Sequence, residues 1–296
     1  AALMEALGGE RAVGVAAGWE HSLVVTASGA IYGTGANAFG QLGTGPDGLG
    51  PGLVSGFGPG RVAVACSAGM PHSMAVTDAG EVYAWGDGKF GQLGLPADVL
   101  DSHRTGRKVL VCTPEQVGGI GDAVSVACGY KTSTLALADG RVLACGAAAH
   151  GTLGVGECAD KIVPTFTPVA GELPGTGPLR SVHAGWSFSL VHAPSGAVSA
   201  AGSNSRGVLL DTTPRSGATS LVSLPLPGDV VSIAAGSEHV VALTAEGAVC
   251  SWGWGEHGQV GSGTTDDAAT PIVLGELDGC GVARVAAGPG SSYAFR

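Results

Sequence analysis

Basic residues are scarce in this sequence. Its 296 residues include 14 lysines and arginines against 24 aspartates and glutamates, so the formal net charge is −10. A chain with this balance repels the phosphates of a nucleic acid unless its cations are gathered on one face. We therefore expect other proteins as partners and do not expect DNA.

Long apolar runs and catalytic motifs are also missing. No stretch approaches the roughly 18 apolar residues of a membrane span. The sequence has no G-x-S-x-G, no H-E-x-x-H and no phosphate-binding loop with a lysine, and its carboxylates do not pair at a recurring spacing. We predict no catalytic residue, no cofactor site and no metal site, and hence a protein that is not an enzyme.

The cysteines do not form a recognisable framework. There are seven, an odd number, and none is arranged as C-x-x-C. Several fall inside apolar segments, which favours buried, reduced thiols over disulfides or a zinc site. We expect an intracellular protein, and the sequence does not distinguish the cytoplasm, the nucleus and the interior of an organelle.

Glycine, by contrast, is abundant and recurs in register. The 53 glycines include an opening glycine in each of six copies of a repeat, followed in five copies by glycines 11, 17 and 22 residues later. A fixed glycine indicates a backbone position with positive φ or a close approach that a side chain would block. The structural repeat glycines are Gly18, Gly29, Gly35 and Gly40; Gly69, Gly80, Gly86 and Gly91; Gly129, Gly140, Gly146 and Gly151; Gly185, Gly196, Gly202 and Gly207; Gly236, Gly247, Gly253 and Gly258; and Gly288.

Short β-rich runs lie between these glycines. His72–Thr77 and Glu81–Trp85, for example, read as two strands joined by a tight turn, with a third run upstream and a fourth downstream. Three or four antiparallel strands in about 50 residues is typical of a propeller blade. We predict an all-β fold, a single β-propeller domain over residues 1–296, with repeat cores that start near residues 13, 64, 124, 180, 231 and 283. Five copies are complete and one is partial, which suits six blades or a seven-bladed ring lacking part of the chain.

The repeat resembles that of the regulator of chromosome condensation family. Gly40-Gln-Leu-Gly43 and Gly91-Gln-Leu-Gly94 match the end of the family's unit, and Gly258-Gln-Val-Gly261 nearly does. The resemblance extends from about Val13 to Phe295. It implies a β-propeller, usually of seven blades.

The resemblance leaves two classes of function open. One is a non-enzymatic scaffold for protein–protein interaction, a subunit or adaptor of a larger assembly. The alternative is a guanine-nucleotide exchange factor for a small GTPase, as in the founding member. The wedge and loop residues on which exchange depends there have no match here, and neither has its basic, nucleosome-binding tail. Because a repeat specifies a fold rather than a function, we favour the scaffold.

Two recurring side chains have a structural and a functional interpretation. His21, His72 and His239 share one position, where a metal ring is disfavoured because the copies are unevenly spaced and no carboxylate recurs beside them. Hydrogen bonds to a neighbouring blade are the preferred interpretation. Trp85 and Trp252 also share a position and are expected to pack between blades.

Two further motifs suggest dinucleotide binding and photoreception, but the residues around them do not support either function. The G-x-G-x-x-G strings at 86–91 and 253–258 arise from the repeat glycines, and no helix is indicated after either, so dinucleotide binding is not expected. Family members that sense ultraviolet-B light carry Gly-Trp-Arg-His-Thr in neighbouring blades. Here Trp19 is followed by Glu20 and Trp186 by Ser187, so the arginines are missing and a photoreceptor role is not expected.

The longest connection holds the only basic cluster. Between Gly94 and Gly129 the chain contains His103, Arg104, Arg107 and Lys108. These four residues are the candidate partner-binding site, because irregular loops on a rigid scaffold commonly make the contacts. In an otherwise acidic protein they would contact an acidic partner or an RNA phosphate. The alternative is a solvated loop without a partner.

Overall fold

The computed structural model describes residues 2–48, 50–58, 60–173, 175, 177–211 and 217–296. Helix is limited in this part of the chain to α1 (Ala2–Ala6), α2 (Ala97–Ser102) and two short 3-10 turns, Ala149–Gly151 and Gly275–Leu277. None of these helices is long enough to cross a membrane. Nearly all other regular structure is antiparallel sheet, as the sequence predicts.

The residues fall into two compact units, which are described separately. The first comprises residues 1–147 and 160–167, and the second comprises 148–159 and 168–296. In chain order the strands are β1 (Ala12–Ala17), β2 (His21–Thr26), β3 (Ile31–Gly35), β4 (Gly52–Leu53), β5 (Ala63–Ala68), β6 (His72–Thr77), β7 (Val82–Asp87), β8 (Arg104–Thr105), β9 (Lys108–Gln116), β10 (Ala123–Cys128), β11 (Thr132–Leu137), β12 (Val142–Ala147), β13 (Ile162–Pro168), β14 (Ser181–Ala184), β15 (Phe188–His192), β16 (Val198–Ser203), β17 (Gly217–Ser223), β18 (Val230–Ala235), β19 (His239–Thr244), β20 (Val249–Gly253), β21 (Ala268–Val273), β22 (Arg284–Gly288) and β23 (Ser291–Phe295).

The sheets are the blades of a β-propeller. Three lie essentially in the first unit, with strand orders β1-β2-β3-β4, β5-β6-β7-β9-β8 and β10-β11-β12-β13. The second unit contains β14-β15-β16-β17, β18-β19-β20-β21 and the two-stranded sheet β22-β23. The described residues thus form five blades of at least four strands and one pair, which confirms the predicted fold and matches five complete copies and one partial copy.

The middle strands of each blade form the core. Every residue of the six-residue strands β6, β7, β11 and β19 is buried. In the first unit the core includes Met74, Trp85 and Leu135, and in the second Phe188 and Trp252, all with no exposed area. Because both faces of these strands are buried, polar side chains within them, such as Ser73 and Ser133, form hydrogen bonds.

The first strand of four blades carries a bulge that sequence reasoning did not reveal. The register shifts at Val13, Val64, Val124 and Val231, each five residues before an opening glycine. These valines are 40–55% exposed. A bulge leaves one residue unpaired and turns its side chain away from its strand neighbours.

The repeated glycines hold a shared backbone conformation. The fourth glycine of each complete copy has a φ between 74° and 76°, a value that L side chains rarely adopt. At Gly91 there is a second constraint, because a Cβ atom would lie 2.6 Å from Pro164 Cα on β13 of the next blade. The turn that ends the second copy therefore approaches the next blade closely at this point.

The long connection after Gly94 contains regular secondary structure. It folds as α2, the two-residue strand β8 and the nine-residue strand β9. β9 is the outer strand of the second blade, with Tyr83 opposite Gln116 and Gly86 opposite Val111. Since β9 completes a blade, the insertion proper is confined to α2 and the hairpin that follows it.

Candidate interaction site

The shared histidines connect neighbouring sheets. His21 Nε2 lies 2.8 Å from Ser73 Oγ, and Ser73 Oγ donates to the carbonyl oxygen of Gln41 at 2.8 Å. Because the serine has one proton to give, the histidine Nε2–H must donate to the serine. The same relay joins His72 to Ser133 and Gln92 in the first unit, and His239 to Ser292 and Gln259 in the second. The structural interpretation of these histidines is confirmed.

Burial keeps these histidines neutral. Loss of solvation lowers the pKa of His21 to about 4 and of His239 to about 4, and it lowers the pKa of His72 to about 3 with a smaller contribution from His21. In the unfolded chain the pKa returns to about 6.5. Below pH 6.5 these histidines are protonated in the unfolded chain but stay neutral in the folded protein. The free energy of unfolding therefore decreases as the pH is lowered from about 6.5 towards 4.

This linkage gives a measurable prediction. Each buried histidine should contribute up to ~1.4 kcal/mol per pH unit to the slope of the free energy of unfolding against pH. Between pH 7 and pH 5 this amounts to about 2 kcal/mol. His72→Gln keeps an amide donor for Ser133 but removes the titration, so its free energy of unfolding should depend less steeply on pH than that of the unmodified protein. Urea denaturation at several pH values measures both slopes, and equal slopes would contradict the assignment.

The two equivalent tryptophans pack between blades, as predicted. Trp85 Nε1 donates to the Gln41 carbonyl oxygen at 2.8 Å, and Trp252 Nε1 donates to the Val208 carbonyl oxygen at 2.9 Å. Both side chains are fully buried. Trp19 and Trp186, in contrast, are 47% and 36% exposed.

The four candidate partner-binding residues lie on one hairpin. Arg104 pairs with Val109 and Thr105 with Lys108, around a turn at Gly106 whose φ is 63°. We call residues 103–109 the basic hairpin. Its tip is exposed, whereas Val109 at its base is buried.

The basic side chains of the hairpin differ in whether they contact a carboxylate. His103 Nε2 lies 3.3 Å from Glu115 Oε1, and Arg104 Nε lies 2.9 Å from Asp101 Oδ1. Arg107 and Lys108 are exposed and form no ion pair with any other described residue. The site therefore offers the two exposed cations Arg107 and Lys108 at its tip, whereas Arg104 is paired with Asp101.

A second cluster was missed by sequence reasoning. Lys89 Nζ lies 5.3 Å from the centroid of the Phe90 ring, and Lys131 Nζ lies 4.1 Å from the same centroid and 4.5 Å from that of Tyr130. We call these four residues the lysine–aromatic patch. They belong to different copies of the repeat, so nothing in the sequence joins them. The sequence held one signal for this cluster, which is the place of its residues in the repeat. Residues at the start of one copy lie next to residues at the end of the preceding copy.

Neither glycine string is followed directly by a helix. After the glycine string at 86–91 the next helix begins only at Ala97 and has no side-chain cap. Among the described positions no three His, Cys, Asp or Glu side chains are grouped as metal ligands would be. The cysteines are free, with Cys128, Cys145 and Cys250 buried, but Cys158 is exposed, so the prediction of buried thiols is wrong there.

Comparison with known proteins gives a consistent result. A family model described as the RCC1-like domain matches residues 2–294. The ultraviolet-B receptor UVR8 of Arabidopsis thaliana is 31% identical over 285 residues, which cover 93% of this chain and 60% of the receptor. Human E3 ubiquitin-protein ligase HERC2 is 29% identical over 297 residues, covering 99% of this chain and 5% of the ligase. The chain thus spans less than two thirds of the length of either relative.

Solved structures agree on the fold. The crystal structure of human WBSCR16 superposes with a TM-score of 0.81 at 23% identity, covering 96% of this chain and 72% of that one. Yeast RCC1 (Prp20), in its complex with Kap60, gives a TM-score of 0.66 at 20% identity over 96% of this chain and 79% of that one. At these identities the likeness shows a common β-propeller architecture and nothing about a shared partner.

Proposed function

Because the chain belongs to the family of RCC1-like domains, we propose that it is a non-enzymatic scaffold for protein–protein interaction, a subunit or adaptor of a larger assembly. The observation that carries this proposal is the basic hairpin. It interrupts a regular repeat and lies in a protein whose net charge is −10. Its exposed Arg107 and Lys108 form no ion pair with a carboxylate of the residues that the structure describes. We assign partner binding to His103, Arg104, Arg107 and Lys108.

The hairpin is held on a rigid base. Leu100 of α2 is buried, and a Cβ atom at Gly88 would contact both Leu100 and Val109. The Gly88 N–H donates to the Val109 carbonyl oxygen at 2.9 Å, and β9 continues into the blade. A fixed base with exposed cations at the tip reduces the ordering cost of binding.

Charge reversal at the tip tests the assignment. The triple variant Arg104→Glu, Arg107→Glu and Lys108→Glu should retain its melting temperature, because all three side chains are exposed. It should bind the native partner at least about tenfold more weakly, since hydrogen bonds to charged groups each contribute ~1.5–3 kcal/mol. A matched control reverses three exposed cations elsewhere, Arg11, Arg141 and Arg296. Equal partner recovery by both variants would remove the hairpin from the site.

Affinity capture from native extract, followed by mass spectrometry, separates the two classes of function. A scaffold should be recovered in stoichiometric amount with the components of one assembly. A guanine-nucleotide exchange factor should instead enrich a small GTPase, with capture strengthened by removal of nucleotide and reversed by GTP. The alternative is retained because one relative, the X-linked retinitis pigmentosa GTPase regulator homolog of Caenorhabditis elegans, is 30% identical over 92% of this chain. Photoreception is not proposed, because Glu20 and Ser187 follow the exposed tryptophans.

A further inference from the structure

We propose that the lysine–aromatic patch is a docking site for an acidic peptide segment of a partner protein, with carboxylates seated against Lys89 and Lys131. The proposal rests on the scaffold function and specifies the chemistry of what the scaffold holds. It concerns a site separate from the four residues of the basic hairpin that carry the proposed function.

The patch is assembled where the second and third blades of the first unit meet. Phe90 N–H donates to Gln92 Oε1 at 2.8 Å, and the Gln92 carbonyl oxygen accepts a hydrogen bond from Ser133 at 2.6 Å. These bonds fix the Phe90 turn of one blade to the inner part of the next, beside Tyr130 and Lys131. The backbone of the Phe90 turn is therefore tied to the next blade, and its half-buried ring forms a platform for the two lysines.

The platform sets the positions of two ammonium groups. Both lie within 6 Å of the Phe90 centroid, the range in which the negative face of an aromatic ring attracts a cation. Holding long lysine chains against a ring lowers the conformational entropy that they lose on binding. Lys89 is exposed and Lys131 is half-buried, so both ammonium groups are presented from an ordered surface.

Within the described part of the chain, no carboxylate forms a direct ion pair with the lysines of the patch. Arg61, Arg141 and Arg206 each lie within 3.0 Å of a carboxylate oxygen, whereas neither lysine forms an ion pair with a described residue. The nearby acid is Asp87, which is 8% exposed and accepts a hydrogen bond from the Lys89 N–H at 3.0 Å. Burial raises the pKa of Asp87, and the charges of Lys89 and Lys131 oppose that rise. Asp87 therefore attracts both ammonium groups electrostatically but forms no direct ion pair with either.

The dimensions and charge of the surroundings favour a short acidic peptide over a nucleic acid. A strand of nucleic acid is gripped along a continuous basic groove with several stacking rings. Here only two lysines are gathered beside the rings of Phe90 and Tyr130, in a protein with a net charge of −10. The basic hairpin lies close by, since Gly88, next to Lys89, is hydrogen-bonded to Val109. A segment with two or three glutamates or aspartates can neutralise the patch without bringing a long row of negative charges against the rest of the surface.

Fluorescence anisotropy with a fluorescein-labelled hexaglutamate peptide tests the site directly, with a labelled twelve-residue oligothymidylate as the competing ligand. Lys89→Glu with Lys131→Glu should weaken hexaglutamate binding at least about tenfold, because two charge-assisted contacts become repulsive. Arg11→Glu with Arg141→Glu changes the charge equally at other exposed positions and should leave the affinity unchanged. Lys89→Gln with Lys131→Gln provides a neutral pair if the glutamates unfold the protein, and it should also weaken binding.

The outcomes distinguish this site from the scaffold proposal. Equal affinity of the patch variant and the control variant for hexaglutamate would overturn the site, and so would binding of the oligothymidylate alone. Partner capture by the hairpin variant is a separate measurement. Undiminished capture by that variant would count against the scaffold as assigned, even if hexaglutamate binding at Lys89 and Lys131 behaved as expected.

Discussion

Replacing Trp85 by alanine is expected to lower the free energy of unfolding by ~4 kcal/mol, the range found when a large buried aromatic side chain is removed. Trp85 has no exposed area and packs in the core of the first unit. Its indole also donates to the Gln41 carbonyl oxygen in the preceding blade at 2.8 Å. The loss therefore combines a cavity with a broken contact between blades. Urea denaturation followed by circular dichroism measures the change.

Trp85→Phe separates the two contributions. Phenylalanine keeps much of the apolar volume but has no donor for Gln41, whose carbonyl oxygen still accepts from Ser73 at 2.8 Å. Its cost should be about 1–2 kcal/mol, well below that of alanine. If alanine and phenylalanine were equally damaging, the hydrogen bond rather than the packing would dominate. If alanine cost less than about 1 kcal/mol, the position of Trp85 in the core would be wrong.

Replacing Gly91 by alanine is expected to destabilise the protein by ~3 kcal/mol, from two causes that add. A side chain at a φ of 74° costs roughly 1–2 kcal/mol. The new Cβ would also lie 2.6 Å from Pro164 Cα, which must move with its strand. Overpacking of this kind typically costs about 1–3 kcal/mol. The measurement is again the free energy of unfolding in urea.

Gly258 supplies the matched control for Gly91. It occupies the same place in its own copy and has a φ of 75°, but nothing lies within 4 Å of the position of its Cβ. Gly258→Ala should therefore cost only the conformational part, about 1–2 kcal/mol. Equal losses at Gly91 and Gly258 would show that the close approach to Pro164 contributes nothing.

The strands and turns were predictable because each copy repeats the same local rules. β2, β6 and β19 begin at the shared histidine and end at a threonine, as the sequence indicates. A glycine at a fixed place in five copies is strong evidence for one backbone conformation. The valine bulges were not predictable, because Val13 and its equivalents continue an apolar run and carry no local mark of a register shift.

The basic hairpin could be recognised in the sequence, but the lysine–aromatic patch could not. Consecutive residues such as Arg107 and Lys108 stand out in a sequence with few cations. Lys89 and Lys131 do not, because 42 positions separate them and only the packing of adjacent blades places both against Phe90. Helix α2 was also missed, since six residues are too few for a periodic pattern.

Hydrogen–deuterium exchange of the protein with and without its captured native partner tests most directly whether the irregular surface, rather than the blades, makes the contacts. The account predicts slower exchange in the partner complex at residues 97–110, 87–90 and 130–131, with little change in the buried strands β6, β7 and β11. Protection that leaves all three segments untouched and appears at other positions would contradict it.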